Sequence, residues 1–484
     1  LIQGAGLPTT TGNPRRWALL ALTSIGAFMA PLDGSIVAVA LPRMGPALHL
    51  SFAHSMWVQA AYLLAMAVTL IPLGRMADQY GKVRFYQAGL VIFTLGSLAA
   101  AMATDGTSLI ASRALQGIGG ALLSATSAAI VTSAFPPSER GRALGINVMA
   151  IYAGLSVGPP LGGYLVDHFG WPWIFLVNLP VGLATFLWGW TLLPAAQVEA
   201  RRKEKLDLAG AALMGLMLVA LIVPLTFASE WGFRSPATWG LLAVVPVALW
   251  GFLRVESRSA SPLIDLDLLR RNRLFASANL AALLNYCALY AVSVLTAVHL
   301  QLVMGHSARV AGWVMMGQPV TQSLLSPLAG KLSDRIGSRI LATGGMVIVA
   351  LGMTALGLLG RAGSLPAVMG ALAVVGLGMA TFSAPNTSAI MGSVKPGQLG
   401  LAGAFLGTMR VTGQALSVAL LGGIAASRLG STGWRVLLRQ GASASAASAF
   451  AWGYRAAMFA GALLALLGAV ASLTRSGGEA RGPG

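Results

Sequence analysis

Asp33 stands inside a long apolar run, and it is the one acidic residue of the chain so placed. Two basic residues, Arg113 and Arg410, also fall inside apolar runs. An ionisable side chain in hydrocarbon is costly, and by default it marks function. A carboxyl group can take up and release a proton, whereas a guanidinium stays charged and acts only as a fixed cation. Burial and a neighbouring arginine pull the protonation of a carboxyl in opposite directions. A movement that changes the separation or hydration of Asp33 and Arg113 would therefore move a proton on or off Asp33. That is the chemistry of proton-coupled exchange, and the alternative is a purely structural ion pair. Helix arithmetic allows either. Asp33 precedes Pro42 by nine residues, and Arg113 follows the start of its own run near Thr107 by six. At about 1.5 Å per residue, both lie about 9–14 Å inside the same membrane boundary.

The elements that must position these charges are apolar runs of about 20 residues, the length that crosses a bilayer. Fourteen can be counted, the first near 17–41, the fourth near 107–133, the tenth near 309–330 and the thirteenth near 400–426. Of 484 residues, 56% are hydrophobic and 10% charged, which leaves no soluble domain. A soluble chain would carry roughly 25% charged residues. The first run is too long for a signal peptide and lacks a cleavage flank. With an even number of spans, both termini share one side. Placing them in the cytoplasm puts 22 of the 32 Lys and Arg in inner segments, including the Arg201–Lys205 cluster, and eight in outer loops. The positive-inside rule favours that orientation. The net charge of +18 then reads as a topology signal and a contact for anionic lipid heads. Without a basic-aromatic module, nucleic acid is not an expected partner.

Cys287 is the single cysteine, so no internal disulfide framework or thiolate metal cluster is expected. The five histidines lack metal spacing, and neither an HExxH nor a Walker A pattern occurs. No metal and no cofactor is expected, no enzymatic activity, and a proton gradient rather than ATP as energy source.

An internal repeat is visible. Gly74, Asp78 and Gly81 recur as Gly330, Asp334 and Gly337, each 256 residues on. Both segments form a short turn between two spans, in which glycine permits positive φ. The carboxylates there can cap a helix or pair with Arg75, Lys82, Arg84 or Arg142. The repeat divides the chain into a six-helix bundle (1–194), a linker with two inserted helices (195–256), a second six-helix bundle (257–476) and a tail (477–484). Two parallel six-helix halves place a substrate path between them. In the fifth span, Gly154, Gly158 and Gly162 share one face that allows close packing, with Gly163 following. Pro159 and Pro160 favour a kink beside them.

Five segments together resemble a known family. The turn Gly74–Lys82 resembles the signature between helices 2 and 3 of the major facilitator superfamily. Leu32–Pro42 resembles the LDxTIVNVALP motif of its 14-helix drug:proton antiporters, with Ser35 for Thr and Ala38 for Asn. Arg113–Gly117 resembles RxxQG, and Gly154–Gly163 resembles the antiporter motif GxxxGPxxGG. Trp171–Pro180 resembles WRWIFxINxP, with Pro172 for Arg. The resemblance covers nearly the whole chain. It implies an all-α membrane protein of the major facilitator fold with 14 transmembrane helices, in which alternating access exports small amphipathic compounds or drugs against protons. It assigns the helix 4 arginine to proton transfer. It makes Gly74, Arg75, Asp78, Gly81, Lys82, Arg142 and Asp334 a conformational latch.

Helices that line the path in that family supply the cavity candidates. These are Phe28, Trp57 and Tyr62 from the first two spans and Asn147 and Tyr152 from the fifth. Asn279, Tyr286 and Tyr290 come from the ninth, Gln318 and Gln322 from the tenth, and Arg410 and Gln414 from the thirteenth. Aromatic faces mixed with amides suit amphipathic organic molecules. Each residue also has a plain reading as packing or interhelical hydrogen bonding. His299, near an outer helix end, reads as a satisfied or exposed imidazole. The absence of a second acid in the tenth span argues against dicationic substrates and allows neutral, monocationic or anionic ones. The expected setting is a monomer in a bacterial plasma membrane, with protons, lipids and a small-molecule substrate as partners. A lipid or small-metabolite exporter on the same fold is the alternative, and a non-transporting receptor or membrane enzyme a more distant one.

Overall fold

The computed structural model describes residues 15–192, 207–232, 234–259, 263, 266–395, 398–438 and 444–474. The Arg201–Lys205 cluster and the tail from 477 onward lie outside them. The described residues are helical, with no strand among them. The first seven helices are α1 (Arg16–Ala47), α2 (Phe52–Tyr80), α3 (Lys82–Ala101), α4 (Gly106–Ala134), α5 (Pro137–Phe169), α6 (Trp173–Leu176) and α7 (Asn178–Leu192). The middle segment gives α8 (Leu208–Trp231), α9 (Pro236–Glu256) and the short α10 (Leu266–Arg271). Then follow α11 (Arg273–Val298), α12 (Ala308–Met315), α13 (Gly317–Ile336), α14 (Ser338–Leu359), α15 (Leu365–Gly392), α16 (Leu399–Ala426), α17 (Gly430–Leu438) and α18 (Ala444–Leu473).

Thirteen helices among the described residues are long and apolar enough to cross a membrane. The tenth expected span is the exception. It is split at Met316 into α12 and α13. Gln318, Gln322, Ser323 and Ser326 dilute its apolar character, which is what a helix facing protein or a polar path looks like. Large apolar side chains stay on the outside, such as Trp190, Leu351 and Leu463 at 69%, 60% and 59% exposure. In water that would be an anomaly, and in a bilayer it is the lipid-facing surface.

Polar residues punctuate the apolar runs. Ser51 accepts from the His54 backbone N–H at 3.2 Å and starts α2. Asp105 accepts from the Ser108 backbone N–H at 2.9 Å, and the Ser108 hydroxyl meets the Asp105 N–H in return. This capping box satisfies amides at the start of α4, and the Ser108 N–H holds the Asp105 carboxyl below its ordinary range. Gly81 and Gly337 end α2 and α13 at φ 114° and 90°. The two copies of the repeated turn thus use one backbone device, open to glycine and strained for other residues.

The packing pattern repeats as well. α1 lies on α5 and α3 on α4; in the second half α11 lies on α16 and α14 on α15. α2 packs on α4 as α13 packs on α15. The inserted helices are not equivalent. α8 packs against both α2 and α16, one from each half, while α9 packs chiefly on α8. α8 thus covers a seam between the halves.

Candidate functional site

The centre of the first half is a closed polar knot. Asp33 of α1 and Arg113 of α4 are both 0% exposed. Arg113 Nη1 donates to Asp33 Oδ2 at 2.5 Å, and the same nitrogen donates to Gln116 Oε1. Gln116 Nε2 and Asn178 Nδ2 donate to Asp33 Oδ1 at 2.8 and 3.1 Å. Both amides also donate to Ser97 Oγ of α3, at 2.6 and 3.1 Å. Arg113 Nε donates to the Val58 carbonyl at 3.3 Å. Its guanidinium lies over the Tyr62 ring, 4.4 Å from the centroid. Five helices of one half, α1, α2, α3, α4 and α7, thus converge on one carboxylate.

The chemistry of the knot is one-sided. Every side-chain group that faces the Asp33 oxygens donates a hydrogen. A carboxylate can accept all of them, whereas a protonated carboxyl would point a fourth donor at donors. The knot therefore presents hydrogen-bond donors alone to the Asp33 oxygens. Sequence supports this geometry locally. Arg113, Gln116 and Gly117 lie within one turn and a half of α4. A Cβ on Gly117 would collide with the Tyr62 carbonyl oxygen, so glycine is what lets α2 bring Tyr62 over Arg113. Ala38 stands where the resembled motif has asparagine; the amides that reach Asp33 come from Gln116 and Asn178, and Arg113 Nη2 is buried without a hydrogen-bond partner.

The second half touches this site through Tyr290 of α11. Its hydroxyl donates to Gln59 Oε1 at 3.4 Å, and Gln59 Nε2 donates to the Gly34 carbonyl at 3.0 Å. Gly34 is the residue next to Asp33. Further inter-half bonds lie toward the end away from the termini. Gln301 donates to the Val39 carbonyl at 2.9 Å, the Arg309 backbone N–H to Asp167 at 2.9 Å, and Trp434 to the Leu50 carbonyl at 3.1 Å. The protein is closed at that end.

The antiporter-like glycines belong to the same closure. A Cβ at Gly154, Gly158 or Gly162 would run into Phe28, Ser35 or Ile36 of α1, and at Gly163 into Ala308 of α12. Pro159 lies against Gly312 of α12. α5 is thus clamped between its own half and the other. Gly163→Val is expected to push α12 away and widen the distal end, read as a longer distance between spin labels placed on the two halves there. An unchanged distance in a folded variant would contradict this role. Overpacking of this kind costs about 1–3 kcal/mol.

The latch candidates are spread out. Asp78 pairs with Lys82 across the Gly81 turn, at 3.3 Å. Arg142 is not its partner and instead lies over the Trp17 ring, 5.6 Å from the centroid. Arg75 is half-buried and Gly74 faces Ala125. Asp334 occupies the last turn of α13, and its side chain lies outside the described positions.

The cavity candidates separate into groups. Tyr62 belongs to the Asp33 knot. Trp57 packs on Phe227 of α8 at 5.6 Å, so it faces the inserted helix and not a path. Asn147 donates to Ser127 and ties α5 to α4. Asn279 donates back to the Phe275 carbonyl of its own helix. These contacts give the three residues partners within the protein, and the Asn279 side-chain oxygen is buried without one. His299 is buried, bonded to the Gly360 carbonyl at 3.0 Å and stacked on Tyr454. Phe28, Gln318 and Gln414 are half-buried, and Gln322 is buried. Tyr286 of α11 lies within electrostatic reach of Arg410 of α16 and of Tyr152 of α5. No cluster with metal-binding potential occurs among the described residues. Gln116 and Asn178 were not singled out as site residues, although both lie within the matched segments. Ser97 carried no sequence signal.

Comparison with known proteins gives a consistent result. The family described as the Major Facilitator Superfamily matches residues 23–275 and 278–483. The chain is 32% identical over 415 residues to the riboflavin transporter RibZ of Clostridioides difficile, covering 86% of this chain and 89% of RibZ. It is 34% identical over 422 residues to the multidrug resistance protein Stp of Mycobacterium tuberculosis, covering 87% and 78%. Among solved structures, a bacterial homologue of the human lysosomal transporter Spinster, in an inward-facing and unoccupied conformation, superposes with a TM-score of 0.68. That similarity covers 95% of this chain and 97% of the other at 17% identity, and so concerns the fold.

Proposed function

The chain belongs to the major facilitator superfamily and is a multi-pass membrane transporter of small molecules, not an enzyme; on that premise we propose that it is a proton-coupled antiporter with Asp33 as the proton-carrying group. The relatives named for multidrug resistance and riboflavin transport support export of small amphipathic compounds, driven by the proton gradient of a bacterial plasma membrane without a cofactor. The observation that carries the reading is the buried carboxylate itself, 0% exposed in a membrane helix and held only by donors. An ion pair serving stability alone gains little over an apolar pair of the same volume. A group that must change its charge cannot be replaced in that way.

Coupling follows from position. The two halves would rock about the path, with both termini cytoplasmic. Rocking would break the Tyr290–Gln59–Gly34 link, which ends one residue from Asp33. Freed from that link, α1 can shift against α4, and water can deliver a proton to a carboxyl parted from Arg113. The guanidinium stays charged throughout and draws the carboxylate back when the proton leaves. Tyr290→Phe removes the link and is expected to lower transport driven by a pH gradient several-fold while leaving the fold intact. Wild-type transport in this variant would remove Tyr290 from the coupling.

The reading is tested in everted membrane vesicles loaded with a panel of dyes and antibiotics. Uphill movement should follow an imposed pH gradient and stop when nigericin collapses it. Uphill movement that persists after collapse would overturn proton coupling.

A further inference from the structure

Arg410 is the charge that the Asp33 knot does not absorb. It lies about 17 Å along α16, a helix of 28 residues and about 42 Å, and so near mid-depth. Unlike Arg113 it is half-buried, not sealed. Among the described residues no carboxylate pairs with it; their ion pairs lie elsewhere. Its neighbours are aromatic. Tyr286 of α11 lies within electrostatic reach of Arg410, and Tyr152 of α5 within reach of Tyr286. One turn before Arg410, a Cβ on Gly407 would stand 3.3 Å from Leu70 of α2, so this stretch of α16 faces the first half. One turn further on, a Cβ on Gly413 would stand 2.6 Å from the Leu283 carbonyl oxygen and 3.0 Å from Tyr286 Cβ. α16 is therefore pressed onto α11, which fixes Arg410 beside Tyr286.

The charge balance around the path is then positive. The one membrane-embedded acid is enclosed with its own arginine, and the partly accessible cation has no counter-ion. A guanidinium in a low-dielectric setting needs an anion or water, and its planar fork matches a carboxylate or sulfonate. Tyr286 offers a flat face for the body of such a molecule. We propose that Arg410, beside Tyr286 where α16 faces the first half, is the recognition site for amphipathic organic anions, so that the protein selects acidic aromatic substrates over cationic ones. This rests on the transporter reading above and narrows it to a charge class.

The test compares two dyes with one xanthene skeleton and opposite charge, anionic fluorescein and the cationic tetramethylrhodamine methyl ester. Binding to the purified full chain is followed by fluorescence anisotropy at neutral pH. Wild-type protein should bind fluorescein at least about tenfold more tightly than the rhodamine ester. Arg410→Gln should weaken fluorescein binding by about 10- to 100-fold without weakening the rhodamine ester, and Arg410→Lys should fall between. Preference for the rhodamine ester, binding of neither dye by folded wild-type protein, or unchanged fluorescein binding in Arg410→Gln would each overturn the proposal. The wild-type comparison decides alone if the variants do not fold. Equilibrium binding needs no gradient, so intact fluorescein binding without proton-driven transport would overturn the coupling and leave the anion site standing.

Discussion

Asp33→Asn is expected to abolish substrate movement driven by a pH gradient, down to the background of protein-free vesicles. Asparagine has nearly the shape of aspartate, and its oxygen can still accept from Gln116 and Asn178. It cannot take up and release a proton in the physiological range. Downhill substrate movement, which needs no proton, should persist at a reduced rate. The reduction has a physical origin: the asparagine amide would face Arg113 Nη1, donor against donor. The readout is gradient-driven uptake into everted vesicles, normalised to folded protein. Wild-type uptake by a correctly folded variant would contradict the assignment.

The second large effect concerns stability. Removing one member of a buried ion pair leaves an uncompensated charge and costs about 3–5 kcal/mol. The two members are unequal in this respect. After Arg113→Met, Asp33 can escape the penalty by holding a proton. After Asp33→Asn, Arg113 has no such escape and keeps the Val58 carbonyl, Gln116 and the Tyr62 and Phe175 faces. Asp33→Asn should therefore lower the thermal midpoint more than Arg113→Met. The double variant should recover part of the loss, because a neutral pair fills the same space without a stranded charge. A coupling energy of about 2–3 kcal/mol between the positions is expected. Additive losses would show that the two side chains do not act as a pair.

Much of this site was legible in the sequence because membrane helices turn residue counting into depth. Nine residues before Pro42 and six after Thr107 put Asp33 and Arg113 at one level, and the structure joins them directly. Depth says nothing of rotation about the helix axis. Counting therefore groups Trp57, Asn147 and Asn279 with the path, and only the fold shows that they touch Phe227 of α8, Ser127 of α4 and the Phe275 carbonyl one turn back in α11. Ser97 shows the other limit. A lone hydroxyl in an apolar run of α3 resembles the many that bond to their own backbone. Only the folded half shows that it meets two amides at once. Gln116 and Asn178 fall between these cases, since the matched segments contain them but spacing alone assigns them no partner. The tenth span was read as continuous because its average is apolar. Its break at Met316 has a local cause, because Pro319 has no N–H to bond the Met315 carbonyl and carry α12 on into α13. Likewise, acidic Asp78 has four basic residues in reach by sequence, and it pairs with Lys82 across the Gly81 turn.

The central claim is that Asp33 exchanges its proton with the transport cycle. The most direct measurement is proton release from purified protein in weakly buffered detergent solution when a transported compound is added. Wild-type protein should release protons on substrate addition, and Asp33→Asn should release none while still binding the compound. Equal release from both proteins, or no release from wild-type protein with bound substrate, would contradict the account.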